Sequence, residues 1–153
     1  MLKYGNSMRG PLRLQQRLTA LNYAVISDGR HLQTMLADTL RNFGIRRIHI
    51  RSHPSGMDPM LDGRPDVILW DWGRPDWDSL KELTRVQAGW RPALIILDVA
   101  TSPERVAMAV TGGASSLITK PFSAGVVMSH IAHAVHQRSK EMQASVSQQV
   151  LLD

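Results

Sequence analysis

The sequence predicts an α/β domain in which a parallel five-stranded sheet is wound with helices on both faces. Short apolar runs alternate along the chain with longer segments of helical periodicity, and glycine or proline marks most junctions. Two of those runs, 66–71 and 93–97, are apolar throughout their interiors, as central strands covered on both sides must be. Five strand–helix units of this length bury their apolar surfaces together as a doubly wound sheet.

The elements follow in order. Residues 23–28 read as the first strand, an apolar run ending in polar residues. A helix pattern follows, with Leu32, Met35, Leu36, Thr39 and Leu40 on one stripe and Gly44 placed as its C-cap. Residues 47–51 alternate at period two, as an edge strand with one wet face does. Residues 52–65 hold Pro54, Gly56, Pro59, Gly63 and Pro65, so a helix there is short or broken. Residues 66–71 form the third strand, and 76–88 a helix with Leu80, Leu83 and Val86 inward. Residues 93–97 form the fourth strand. Ser102-Pro103 opens the next helix, since proline suits the first helical position. Its Val106, Ala107 and Val110 are expected inward, and Gly112-Gly113 ends it. Residues 116–119 form the fifth strand, and a last helix begins near Ser123.

With 153 residues, 43% hydrophobic and 20% charged, the chain suits one globular domain with a proper core. No run approaches the ~18–20 apolar residues of a membrane span, and the first residues lack a signal-like apolar stretch. The absence of cysteine excludes disulfide and thiol chemistry and fits a reducing cytoplasm, the expected location. The net charge of +5 comes from dispersed arginines and lysines, without a dense basic tract, zinc-finger spacing or aromatic ladder. It reads as a solvated basic surface, and no nucleic-acid partner is expected. There is neither a Walker loop nor a G-x-G-x-x-G after a strand, which argues against a nucleotide-binding enzyme.

In doubly wound sheets the site lies beyond the carboxyl ends of the strands. That edge gathers Ser27, Asp28, Asp71, Asp98 and Lys120. Carboxylates at adjacent strand ends suit a hard cation such as Mg²⁺. A carboxylate that takes up a phosphoryl group needs such a cation, and a lysine on the other side. Plainer readings exist: Asp28 as N-cap of the helix near Arg30, and Lys120-Pro121-Phe122 as an ordinary turn. Asp71 is harder to explain away, because an acid ending an apolar central strand must be solvated or partnered.

Over about residues 22–138 the chain resembles the receiver domain of two-component response regulators. Asp71-Trp-Gly-Arg-Pro75 is similar to the family's phosphoacceptor loop. Gly112-Gly-Ala-Ser-Ser-Leu-Ile-Thr-Lys-Pro-Phe122 is similar to its glycine-alanine turn, fifth strand and Lys-Pro-Phe. The resemblance implies a flavodoxin-like (βα)5 fold with strand order 2-1-3-4-5. It implies that Asp71 accepts the phosphoryl group, Asp28 binds Mg²⁺, Gly73 lends the metal a carbonyl and Lys120 contacts the phosphate. It further implies a stand-alone receiver, phosphorylated by a histidine kinase or phosphotransfer protein and signalling through a downstream protein partner. Such a protein is not an enzyme, beyond Mg²⁺-dependent self-phosphorylation from a phosphodonor and slow self-dephosphorylation. The alternative is a pseudo-receiver, an interaction module whose pocket is no longer phosphorylated.

Four positions depart from the family pattern. Ser27 replaces the first of two paired acids, so Mg²⁺ affinity is expected to fall, although its hydroxyl can hold a metal-bound water. Asp98 stands where the family has serine or threonine. Two unit charges ~5 Å apart at an effective dielectric of ~20 repel by roughly 3 kcal/mol, enough to weaken phosphoryl binding ~100-fold if nothing compensates. Asp98 could equally restore the charge lost at Ser27, or pair with Lys120 and close the site. Val99 replaces a small residue that leaves the phosphate accessible. Leu117 replaces the switch aromatic, which puts the usual coupling to the output face in question.

Residues 1–21 form a helical extension in which Leu14, Leu18 and Leu21 share a stripe, with Arg13 and Arg17 on another side. It is suited to packing on the domain or on a partner, and less well to a membrane surface. Residues 139–153 continue the last helix or fray as a tail. Met128, Ile131, Val135, Met142, Val146 and Val150 fall on one stripe interrupted by Arg138, a pattern that suits a homodimer through paired helices. His130, His133 and His136 recur every third residue but drift around the helix, so they read as solvated polar positions rather than a metal site.

Overall fold

The structure, a computed structural model, describes residues 13–53, 64–72, 78, 81, 91–99 and 102–152, the side chains of 149–152 excepted. Residues 13–19 form helix α1. After it come β1 (Tyr23–Ile26), α2 (Arg30–Phe43), β2 (Ile48–Arg51), β3 (Val67–Trp72) and β4 (Ala93–Asp98), then α3 (Pro103–Thr111), β5 (Ser116–Thr119) and α4 (Ala124–Leu152). The strands make one parallel sheet, as the sequence predicts, in the order β2-β1-β3-β4-β5 that the resemblance implies. Most of the 52–65 segment and of the helix expected over 76–88 lies outside the described residues; Asp78 and Lys81 are helical.

Side chains alternate across the sheet and build a core on each face. On one face Val25, Leu69, Ile95 and Ile118 meet Leu18 of α1, Leu36 and Leu40 of α2, and Val127 and Ile131 of α4. On the other, Ile26, Ile68, Trp70, Trp72 and Ile96 cluster with Ala109 of α3. β4 is buried along its whole length and β3 everywhere but Asp71, which explains their unbroken apolar sequences. The edge strand β2 is partly exposed throughout, not split into a wet and a dry face.

Two helices show where periodicity succeeds and where it slips. In α2 the buried stripe runs through Leu36, Ala37 and Leu40, and Met35 is turned to solvent, one position off the expected line. Gly44 caps this helix at φ +105, a left-handed conformation that costs glycine no Cβ clash, and its N–H donates to the Arg41 carbonyl. In α3, Ser102 is the N-cap, its hydroxyl accepting the Arg105 N–H at 3.2 Å, with Pro103 in the first turn. The inward residue is Ala109, whereas Val106, Ala107 and Val110 are exposed, contrary to expectation. Helical geometry places Arg105, four residues earlier, on the same side as Ala109. The inward face of α3 therefore carries an arginine, which apolar periodicity cannot register.

α1 is integrated into the domain. Leu18 belongs to the main core, and the fully buried Tyr23 hydroxyl donates to the Leu18 carbonyl at 2.8 Å. Burial, helped by the Asp66 charge, pushes that hydroxyl far above its usual pKa, so it remains a donor. Arg17 is also hydrogen-bonded to Ser139 of α4. Arg138, which breaks the apolar stripe in the sequence, is a staple at the amino ends of the strands. Its guanidinium donates to the Arg91 carbonyl at 2.9 Å and pairs with Asp66 at 3.2 Å, while Asp66 accepts the Asn22 N–H at 2.9 Å. Beyond it, residues 140–148 are exposed, Met142 and Val146 included.

Tyr23→Phe leaves the Leu18 carbonyl only the long bond from the Leu21 N–H at 3.4 Å, and is expected to lower unfolding stability by about 1 kcal/mol in urea titration, with an unchanged slope. Arg138→Ala is expected to cost about 1–2 kcal/mol by the same measurement, since it strips partners from the half-buried Asp66 and the Arg91 carbonyl.

Candidate functional site

The carboxyl ends of four neighbouring strands bring the chemistry together. Ser27 follows β1, Asp71 is the penultimate residue of β3, Asp98 ends β4, and Lys120 follows β5. Alternation puts Asp71 on the side of Leu69, facing α1, α2 and α4, and Asp98 on the side of Ile96, facing α3. The Lys120 N–H donates to the Asp98 carbonyl at 2.8 Å, and the Lys120–Pro121 peptide is cis.

Both carboxylate oxygens of Asp71 are engaged. The Lys120 ammonium pairs with Oδ1, and the Ser27 hydroxyl donates to Oδ2 at 2.7 Å. Ser27 is buried, and its oxygen accepts the Gly29 N–H at 3.1 Å, which fixes the hydroxyl in place. The Asp71 side chain keeps 7% of its surface exposed and that of Lys120 22%, so the pair is largely buried at the sheet edge. Where an acid at position 27 would repel Asp71, the serine is a neutral donor to it.

Asp98 is wholly buried and does not reach Lys120. Its Oδ1 pairs with Arg105 Nη1 at 2.7 Å and accepts the Val99 N–H at 2.7 Å. Its Oδ2 and the Trp72 Nε1, on residues paired in register, are buried without a hydrogen-bond partner among the described residues. The alternatives left open by the sequence are thus narrowed: a guanidinium compensates Asp98. Arg105 is the site residue that sequence reasoning missed. Its signal was its spacing of four from Ala109 on α3, legible only once the inward face of that helix is known.

The metal donors are sparse. Asp28 is exposed, and the N-cap of α2 is Gly29 without a side-chain cap, so Asp28 is not the cap residue. Gly73 lies outside the described residues. No group of three histidine or acidic side chains among the described residues is arranged to hold a metal ion. A hard cation would find Asp28 and an Asp71 already holding Ser27 and Lys120, a poor fit to the oxygen cage Mg²⁺ demands.

Other positions fall into place around this edge. Val99 is 58% exposed, and Leu117 is half-buried against the core beneath α3. His130 Nδ1 is hydrogen-bonded to the Ser116 hydroxyl, while His133 and His136 are exposed. A cavity of about 620 Å³ lined by Arg91, Ser115, His133 and Arg138 lies at the amino ends of β4 and β5, away from Asp71. No helix among the described residues is long and apolar enough to cross a membrane.

Comparison with known proteins agrees with this fold. No family model matches the chain. The transcriptional regulatory protein YxdJ of Bacillus subtilis is 21% identical over 127 residues, 83% of this chain and 56% of that protein. The chain spans about half the length of the curated relatives it matches. Among solved structures, a CheY-like response regulator receiver domain protein from Methanospirillum hungatei superimposes with TM-score 0.68 at 17% identity, over 79% of this chain and 98% of that one. The BeF3-activated receiver domain of DrrB, a Thermotoga maritima protein, gives TM-score 0.61 at 18% identity, over 76% and 97%. The chain thus has the fold of CheY-like receiver domains, and its sequence is similar to that of response regulators.

Proposed function

We propose that this receiver domain accepts a phosphoryl group on Asp71 from a histidine kinase or phosphotransfer protein and signals by contact with a downstream protein partner. The observation that supports this reading is the Asp71 carboxylate at the end of the central strand, held between Lys120 and Ser27 at the sheet edge. In the transfer, one Asp71 oxygen forms the new bond to phosphorus. The bond from phosphorus to the donor breaks, and its electron pair leaves with the donor. Lys120, already on Oδ1, moves from the carboxylate to the incoming phosphoryl oxygens. The covalent change then shifts an equilibrium between two conformations of the domain.

Mg²⁺ is proposed to bind weakly, through Asp28 and Asp71. The protein is proposed to act in the cytoplasm, with no catalysis beyond its own phosphorylation and slow dephosphorylation. Exposed Met142 and Val146 on the projecting part of α4 suit a homodimer through paired helices. A second reading, a pseudo-receiver that is not phosphorylated, is favoured by one feature: both Asp71 oxygens are already partnered within the protein.

Incubation with acetyl phosphate and millimolar Mg²⁺ is expected to add one phosphoryl mass, and beryllofluoride to raise the melting temperature. Both responses should vanish in Asp71→Asn. A wild-type protein inert to both reagents would establish the pseudo-receiver instead.

A further inference from the structure

The Asp98–Arg105 pair has no part in the transfer described above, yet it lies beside the acceptor. Asp98 is paired in register with Trp72, the residue after Asp71, so its backbone is one strand spacing from the acceptor strand's end. The carboxylate is fully buried, and it holds the guanidinium by a single contact, Nη1 to Oδ1. A forked pair would use both oxygens, but among the described residues Oδ2 accepts nothing. Arg105 therefore keeps unspent donors, and its side chain is 28% exposed where Asp98 is sealed. Lys120 meets Asp71 from β5, while Arg105 comes from α3 on the opposite face of the sheet. Asp71 and Asp98, at the ends of adjacent strands, thus each hold a cation.

The acids are correspondingly few. Ser27 contributes no charge, and Asp98 is neutralised by its own partner. A metal pocket built this way holds a divalent cation poorly, whereas the partly exposed Arg105 offers N–H donors to an anion. We propose that Arg105 is a phosphoryl-binding residue: held by Asp98, its guanidinium contacts a phosphoryl group on Asp71 and supplies positive charge that reduces the site's dependence on Mg²⁺. This inference rests on the phosphoacceptor reading of Asp71. A guanidinium suits the role because its rigid fork serves a carboxylate with one edge and phosphoryl oxygens with another. Asp98 is then a positioning residue, not a repulsive one.

The test is a beryllofluoride titration of the full chain at fixed low and high Mg²⁺, followed by thermal shift. Arg105→Gln alone would strand a buried carboxylate, so the informative variant is the double substitution Asp98→Asn, Arg105→Gln, which keeps a neutral hydrogen-bonded pair. The double variant should bind beryllofluoride about ten-fold more weakly than wild type and need about ten-fold more Mg²⁺ for half-response. Removing the Asp98 charge by itself would strengthen anion binding, so a loss can come only from the missing guanidinium. Unchanged or tighter binding in the double variant, or an unchanged Mg²⁺ midpoint, overturns the proposal and leaves the pair as a brace for α3. A wild-type protein that ignores beryllofluoride at every Mg²⁺ concentration overturns the Asp71 reading itself, and this inference with it.

Discussion

The ion pair between Asp71 and Lys120 is the contact on which the functional edge depends. The two residues belong to strands that are not neighbours, since β4 runs between β3 and β5. With ~4.8 Å between adjacent strands, Lys120 must reach across about 10 Å of sheet, and only a long side chain does so. The contact therefore requires the order β3-β4-β5. A slip of one residue in β3 or β5 would turn Asp71 or Lys120 to the other face and dissolve it. The register of β4 with both neighbours keeps the two charges opposite each other.

Around this pair the site balances two acids with two cations, each acid matched to its own partner and each pair on its own face of the sheet. The departures from the receiver pattern compensate one another at this level. Serine at position 27 turns a neighbour that would repel Asp71 into a donor, and the charge introduced at position 98 arrives with a guanidinium to neutralise it. A buried carboxylate without Arg105 would cost several kcal/mol. Asp98 and Arg105 therefore belong to one structural unit, although the sequence separates them by a loop and an N-cap.

The fold was legible because its signals are local. The apolar interiors of β3 and β4, the Ser102-Pro103 helix start and the Gly44 cap are each set by a few adjacent residues. Asp71, Ser27 and Lys120 were also legible as neighbours, because strand order alone brings them to one edge. What the sequence hid are contacts made by polar residues in apolar company. Arg105 takes an inward position on α3 that counting apolar residues assigned to Val106 and Val110, and Arg138 looked like a flaw in a stripe when it ties α4 to the strand ends. Periodicity reports which face is greasy, not which arginine has found a buried acid. The exposure of Met35 in α2 is a smaller instance: Ala37 fills the inward position, and a small side chain leaves a weak trace in any hydrophobic pattern.

The central claim is that Asp71 forms an acyl phosphate, and borohydride trapping addresses it most directly. Reduction of an aspartyl phosphate converts that residue to homoserine, which peptide mass mapping locates. After incubation with an acyl-phosphate donor, homoserine is expected at position 71 alone and absent without donor. Homoserine at Asp28 or Asp98, or at no position while the protein stays folded, would contradict the account.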